Sequence, residues 1–119
     1  MSSPKLPNYV RLHRKRLGFS QQEVAFLLGC CDGSKTSRYE HFSRIPTLHT
    51  ALALAVILRV SVYELFSGEY QKVENAVCRQ AQLLERRLVM EHADEQTTRK
   101  LTLLKMLKSA DYQSWQQTN

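Results

Sequence analysis

The side chains best suited to bind another molecule are concentrated in one short stretch, Ser34 to Phe42. The guanidinium of Arg38 can form two parallel hydrogen bonds with the two acceptors on the edge of a guanine base. Lys35 carries a flexible point charge that suits phosphate, and Ser34 and Ser37 are short enough to let a helix approach a partner closely. Taken alone, these residues are also compatible with an ordinary solvent-exposed surface. Whether they bind a partner depends on the secondary-structure elements that position them.

Other chemistries find little support in the residue pattern. The sequence has no glycine-rich phosphate loop, no metal-ligand spacing and no nucleophile framed by a base. We therefore expect no enzymatic activity, no cofactor and no metal site. The three cysteines are expected to be reduced thiols, and the four histidines are scattered rather than arranged as ligands; these residues are Cys30, Cys31, Cys78, His13, His41, His49 and His92.

The charge of the 119-residue chain is +6, and it is unevenly distributed. Residues 1–68 hold nine Lys and Arg against four Asp and Glu, a net charge of +5, whereas residues 69–119 hold eight against seven, a net charge of +1. A basic N-terminal half attracts phosphate. The longest apolar stretch, Ala51 to Leu58, is far shorter than a membrane span, and the N-terminus lacks a secretory signal. We expect a soluble, cytoplasmic protein that does not enter a membrane.

Residues 8–68 read as five short helices, each with its own start or stop signal. Asn8 can cap the first helix and Gly18 can end it. The run from Ser20 to Glu23 is a capping box that opens the second helix, which Gly29 ends. The third helix is the Ser34–Phe42 stretch, which follows after a tight turn.

The fourth helix, Leu48 to Leu58, is apolar on most sides, so we expect it to be the most buried element, with Leu52 in the core. A second capping box, Ser61 to Glu64, opens a one-turn helix that we expect to end at Gly68. A long helix from Glu69 to Glu91 follows, and then a second helix. The sequence thus predicts an all-α protein, with a five-helix domain over residues 8–68 and two C-terminal helices within 69–119.

Five segments occur in a fixed order along residues 8–68, namely Gly18-Phe19-Ser20-Gln21, Val24-Ala25, Leu28-Gly29, Ser37-Arg38-Tyr39-Glu40 and Pro46. Together they resemble the phage repressor/Cro-type (XRE) helix-turn-helix family. The resemblance implies a repressor-like fold and sequence-specific binding of double-stranded DNA, with the Ser34–Phe42 helix in the major groove. It also implies a transcription regulator, more specifically a repressor.

The resemblance also implies roles for individual residues. It indicates Gln21, Ser34, Lys35 and Arg38 as DNA-binding residues, and we also predict that Ser37 and Arg44 bind DNA. Glu40 matches an acidic residue that the family pairs with a first-helix arginine, and Arg14 is the expected partner. The chain departs from the family between Gly29 and Ser37, where it is one residue longer and has Gly33 where a side chain is usual.

The C-terminal helices leave two interpretations open. Their apolar stripes could fold back on the same chain, or they could pair with a second copy and set the distance between two DNA-reading helices. We favour a homodimer through Val73, Val77, Leu84, Leu88, Leu101 and Leu104. The alternative function is an antitoxin or protein-interaction adaptor built on the same fold, in which the C-terminal helices bind a partner protein.

Overall fold

The computed structural model describes residues 5–91 and 94–108. Within these ranges the regular structure is helical throughout, with seven helices and no strand, which confirms the expected all-α class. The chain divides into two compact units, one ending at Gln71 and the other beginning at Lys72. None of the helices in the described part of the chain is long and apolar enough to cross a membrane.

The helices are α1 (Val10–Leu17), α2 (Gln21–Leu27), α3 (Ser34–Glu40), α4 (Leu48–Leu58), α5 (Val62–Leu65), α6 (Ser67–Val89) and α7 (Glu95–Leu107). The first unit contains α1 to α5 and the first turn of α6, and the second contains the rest of α6 together with α7.

Local signals set most helix boundaries in the first unit. Gly18 closes α1 with a φ of 83°, and Gly29 follows α2 with a φ of 81°, a left-handed conformation that costs glycine little. The Ser20 hydroxyl accepts a hydrogen bond from the Glu23 N–H at 3.0 Å, and the Glu23 carboxylate accepts one from the Ser20 N–H at 2.8 Å. The predicted capping box is therefore present.

The core of the first unit joins α1, α2, α3, α4 and α5. Its buried members are Val10, Val24, Tyr39, Leu54, Leu58 and Leu65, and partly buried side chains such as Phe19 and Leu28 pack against them. Because each helix contributes only one or two of these residues, no helix of the unit buries its apolar face without the others.

Helix α4 departs from the sequence prediction. It packs on α1 and α5 along one face only, so Ala51, Leu54 and Leu58 are buried. The opposite face is open: Leu48, Leu52 and Val56 are 69%, 47% and 75% exposed. The expectation that Leu52 lies in the core was wrong, because an apolar composition on all sides does not supply neighbours on all sides.

Gly68 also differs from its expected role. It lies in the first turn of α6 and is buried, rather than closing α5. A Cβ atom there would collide with the carbonyl of Leu6, and the Glu69 N–H donates to the Pro7 carbonyl at 3.2 Å. A residue without a side chain at this position therefore lets the N-terminal segment lie against the start of α6.

In the second unit, α7 runs back along α6. Asp94 caps α7 by accepting from the Thr97 N–H at 2.7 Å, and the Cys78 thiol donates to the Leu107 carbonyl at 3.0 Å. Glu85 and Lys108 form an ion pair between the two helices. The helices thus form a hairpin whose contacts extend from Leu88 back to Cys78 along α6.

The hairpin covers half of the stripe expected to mediate dimerisation. Leu88 and Leu104 are buried in a cluster with Ala81, and Leu101 packs against that cluster. The other three residues expected at the interface remain on the surface, with Val73, Val77 and Leu84 being 58%, 45% and 40% exposed.

Candidate nucleic-acid interface

Helices α2 and α3 pack directly on each other across the connection of residues 28–33. At Gly33 an added Cβ would lie 3.3 Å from the Cβ and carbonyl carbon of Gln21, which is tighter than most side chains tolerate. The absence of a side chain at Gly33 therefore allows the start of α3 to approach the start of α2. This close approach favours glycine at position 33.

A buried polar network joins α1, α2 and α3. The Arg14 guanidinium donates from Nε to Glu40 Oε2 at 2.5 Å and from Nη2 to Glu40 Oε1 at 3.0 Å, so the pair is bidentate. Arg14 also donates to the Phe19 carbonyl at 2.9 Å, and the Gln21 amide donates to Glu40 Oε1 at 3.1 Å. The predicted Arg14–Glu40 pair is confirmed, and three helices are fixed by one carboxylate.

The electrostatics of this network favour the ionised pair. Burial opposes ionisation of Glu40, but the hydrogen bonds from Arg14 and Gln21 and the charge of Arg14 outweigh it, so the pKa of Glu40 lies below its ordinary value. The hydrogen bond to Glu40 raises the pKa of Arg14 in return. Glu40 is therefore held as a carboxylate inside the unit.

Helix α3 separates its residues into a buried face and an exposed face. Thr36, Tyr39 and Glu40 are buried, whereas Lys35 and Arg38 are exposed. Because Lys35 and Arg38 are three positions apart, they lie on the same side of the helix. Glu40 is the only acidic residue of α3 and faces inward, so the outward face of α3 is cationic.

The six residues predicted to bind DNA fall into two groups. Lys35, Arg38 and Arg44 are exposed, and Arg44 lies in the loop just after α3. Ser34 is exposed as well, but it takes part in hydrogen bonds within the fold, as do Gln21 and Ser37. Gln21 binds Glu40, Ser37 lies 3.3 Å from the imidazole Nδ1 of His41, and Ser34 donates to Asp32.

Asp32, which the sequence analysis did not single out, determines where α3 begins. Its carboxylate accepts from the Ser34 N–H at 2.9 Å and from the Ser34 hydroxyl at 2.6 Å. These hydrogen bonds, with a smaller effect from the charge of Arg38, hold the pKa of Asp32 below its ordinary value. An aspartate that accepts from the N–H two residues further on forms an Asx turn, which aspartate followed by glycine favours, so this role could have been predicted.

Helix α3 ends at Glu40, two residues before the predicted end at Phe42. The Ser43 N–H donates to the Arg38 carbonyl at 3.0 Å and the Phe42 N–H to the Tyr39 carbonyl at 3.1 Å, which is a Schellman arrangement. Phe42 takes the left-handed position, with a φ of 63°. Glycine usually occupies that position, so the sequence lacks the usual stop signal here.

Asn8 also contacts α3, through a hydrogen bond with Tyr39, which lies 31 residues further along the chain. Its side-chain amide donates to the Tyr39 carbonyl at 2.9 Å, and its carbonyl oxygen accepts from the Val10 N–H at 3.1 Å. Asn8 was predicted to be the N-cap of α1, but Tyr9 occupies that position and Asn8 binds the first helical N–H from one residue further back. The contact with α3 has no signal in the sequence. Asn8 therefore ties the last turn of α3 to the start of α1.

Comparison of the chain with protein-family models, with curated proteins and with solved structures finds no match to any of them.

Proposed function

We propose that the chain is a sequence-specific double-stranded DNA-binding protein that regulates transcription, acting as a cytoplasmic repressor without enzymatic activity. In this proposal α1 to α5 form a repressor-like helix-turn-helix domain, and α6 and α7 form a C-terminal helical region. One observation carries the proposal: α3 packs on α2 with its only carboxylate buried against Arg14, while Lys35 and Arg38 face outward.

The exposed face of α3 supports a division of roles. Arg38 is the residue best suited to read a guanine, because its planar guanidinium matches the two acceptors on the guanine edge in the major groove. Lys35 and Arg44 are exposed cations near opposite ends of the same segment, which suits the phosphates on either side of a groove. Gln21, Ser34 and Ser37 support this face through their hydrogen bonds with Glu40, Asp32 and His41.

We further propose that the chain binds DNA as a homodimer. The exposed part of the α6 stripe, Val73, Val77 and Leu84, lies along one side of the helix at intervals of four and seven residues. This spacing is typical of helices that pair with one another. Leu88, Leu101 and Leu104 contribute by holding the hairpin together.

A second candidate function rests on the outside of the same hairpin. Leu83, Leu103 and Met106 are half exposed, so the hairpin offers apolar surface beyond the α6 stripe. Such a surface also suits a different protein, as in an antitoxin or an adaptor. A DNA-binding regulator requires the cationic face of α3, whereas a protein-binding adaptor does not.

The test is binding of a fluorescently labelled, mixed-sequence duplex as salt is varied. We expect binding that weakens as salt rises, because Lys and Arg side chains release counterions from the phosphates. Lys35→Ala should reduce the slope of log affinity against log salt by about one, since it removes one phosphate contact. Lys100→Ala, at an exposed position of α7, is the matched control and should leave the slope unchanged.

Failure to bind the duplex at about 50 mM salt, where nonspecific binding is strong, would contradict DNA binding and favour the adaptor. Equal slopes for Lys35→Ala and the wild type would remove Lys35 from the interface.

A further inference from the structure

A cleft of about 590 Å³ opens between the N-terminal segment, α1 and the end of α3. Its volume falls in the range of small-molecule sites. Its lining combines three large apolar side chains, from Leu6, Leu12 and Phe42, with three basic ones, from Arg11, Lys15 and His41. The cleft lies within the first unit and is distinct from the outward face of α3.

The apolar side chains of the cleft are only partly covered. Leu6, Leu12 and Phe42 each leave nearly half of their surface exposed, and they come from three separate segments of the chain. A ligand with an apolar body would cover all three at once, and removing that surface from water favours binding.

The charged groups of the cleft favour an anion. Arg11 and Lys15 are four positions apart on α1 and therefore lie on the same side of that helix. Glu40 also borders the cleft, and the charge of Arg11 contributes to lowering the pKa of its carboxyl group. That carboxylate is already paired bidentately with Arg14. With the charge of Glu40 matched by Arg14, Arg11 and Lys15 give the wall of the cleft an excess of positive charge.

The end of α3 sets the position of the Phe42 side chain. The left-handed φ of 63° belongs to the Schellman end of that helix, and Arg59 adopts the same conformation after α4. The turn brings the aromatic side chain of Phe42 into the wall of the cleft.

We propose that this cleft binds a small organic anion, with a carboxylate, sulfonate or phosphate group between Arg11 and Lys15 and an aromatic or aliphatic body against Leu6, Leu12 and Phe42. Binding at this site does not depend on the proposed DNA-binding function. His41 and Phe42 follow α3 directly, so an occupant contacts the end of the helix that we propose reads DNA.

The experiment is a residue-resolved NMR titration of the full chain with 1-naphthalenesulfonate, an anion with an apolar body. We expect saturable shifts of the amide signals of Leu12, His41 and Phe42. Naphthalenemethanol, which lacks the charge, and inorganic phosphate, which lacks the apolar body, should each bind about tenfold more weakly or not at all. These comparisons use the wild-type chain, so they do not depend on the folding of a variant.

Variants then locate the anion. Arg11→Gln and Lys15→Gln should each weaken naphthalenesulfonate binding about tenfold, the cost of one lost charged hydrogen bond. Arg16→Gln is the matched control, because it removes the same charge from an exposed position of α1 that does not line the cleft. Shifts confined to the exposed face of α4, equal binding of the uncharged alcohol, or equal weakening by Arg16→Gln would each overturn the proposal.

Discussion

The Arg14–Glu40 pair gives α3 both its position and its charge. Glu40 lies at the last residue of α3, so its two hydrogen bonds with Arg14 fix that end of the helix to α1. The same pairing keeps the only carboxylate of α3 away from the outward face. Removing one partner of a buried pair leaves the other charge without compensation, which makes the pair sensitive to substitution.

We expect Glu40→Gln to lower the free energy of unfolding by about 3 kcal/mol near neutral pH, because Arg14 would be left charged and buried. The pKa of Glu40 is lower in the folded chain than in the unfolded chain, so acidification protonates the unfolded chain first. The stabilisation is therefore complete above the ordinary glutamate pKa and is lost as the pH falls through the lowered one. Denaturant unfolding at a series of pH values measures the difference.

The difference between the wild type and Glu40→Gln should narrow below about pH 4. Glu91→Gln, at an exposed position just after α6, is the control and should have little effect at any pH. A difference that stays constant down to the acid transition would show that Glu40 does not act through its charge.

The sequence predicted the role of a residue where neighbouring residues or a known sequence motif indicate that role. The Arg14–Glu40 pair and the Ser20–Glu23 capping box are of this kind. The hydrogen bond from Asn8 to the Tyr39 carbonyl was not predicted, because it joins residues that only the packing of α1 against α3 brings together. The hydrogen bond from Gln21 to Glu40 was not predicted either, because it depends on the packing of α2 against α3.

The burial of α4 could not be predicted from its amino-acid composition. Its residues are apolar around most of the helix, yet α1 and α5 cover only the face that carries Ala51, Leu54 and Leu58. Helix α3 shows a similar limit at its end, where Phe42 adopts a left-handed conformation, as Arg59 does after α4. Neither position has the glycine that would have signalled the stop.

The two faces of α4 should respond differently to truncation. Leu54 is fully buried, so Leu54→Ala should lower the free energy of unfolding by about 2–5 kcal/mol, the usual cost of a cavity. Val56 is largely exposed, so Val56→Ala should change it by no more than about 0.5 kcal/mol. Denaturant unfolding of both variants tests this; similar losses for the two would mean that the Val56 face is covered in solution.

The two units of the molecule both carry positive charge, with a net charge of +4 for residues 1–71 and +2 for residues 72–119. The basic first unit carries the candidate DNA-reading face, and the second carries the α6 stripe that we propose joins two copies. The sequence predicted apolar stripes in both C-terminal helices. It did not show whether these stripes pack against each other in one chain or against a second chain, because the spacing of Leu88 and Leu104 suits both arrangements.

We expect the double variant Val77→Glu, Leu84→Glu to convert a dimer into a monomer, because it places charges of the same sign on both halves of the proposed interface. Sedimentation of the full chain measures the oligomeric state. The double variant Leu48→Glu, Val56→Glu is the matched control, since it places the same two charges on the exposed apolar face of α4. Dissociation by this control alone would move the interface to α4, and a wild-type chain that is monomeric at micromolar concentration would exclude the homodimer.

Selection of bound duplexes from a random pool shows whether α3 reads DNA sequence through Arg38. The wild-type chain should enrich a sequence of two related half-sites that contains a guanine at a fixed position. Arg38→Ala should lose the preference at that position and weaken binding to the selected sequence by about 1–3 kcal/mol. A pool that stays random after selection, or an enriched sequence that Arg38→Ala binds as well as the wild type does, would contradict base recognition by Arg38.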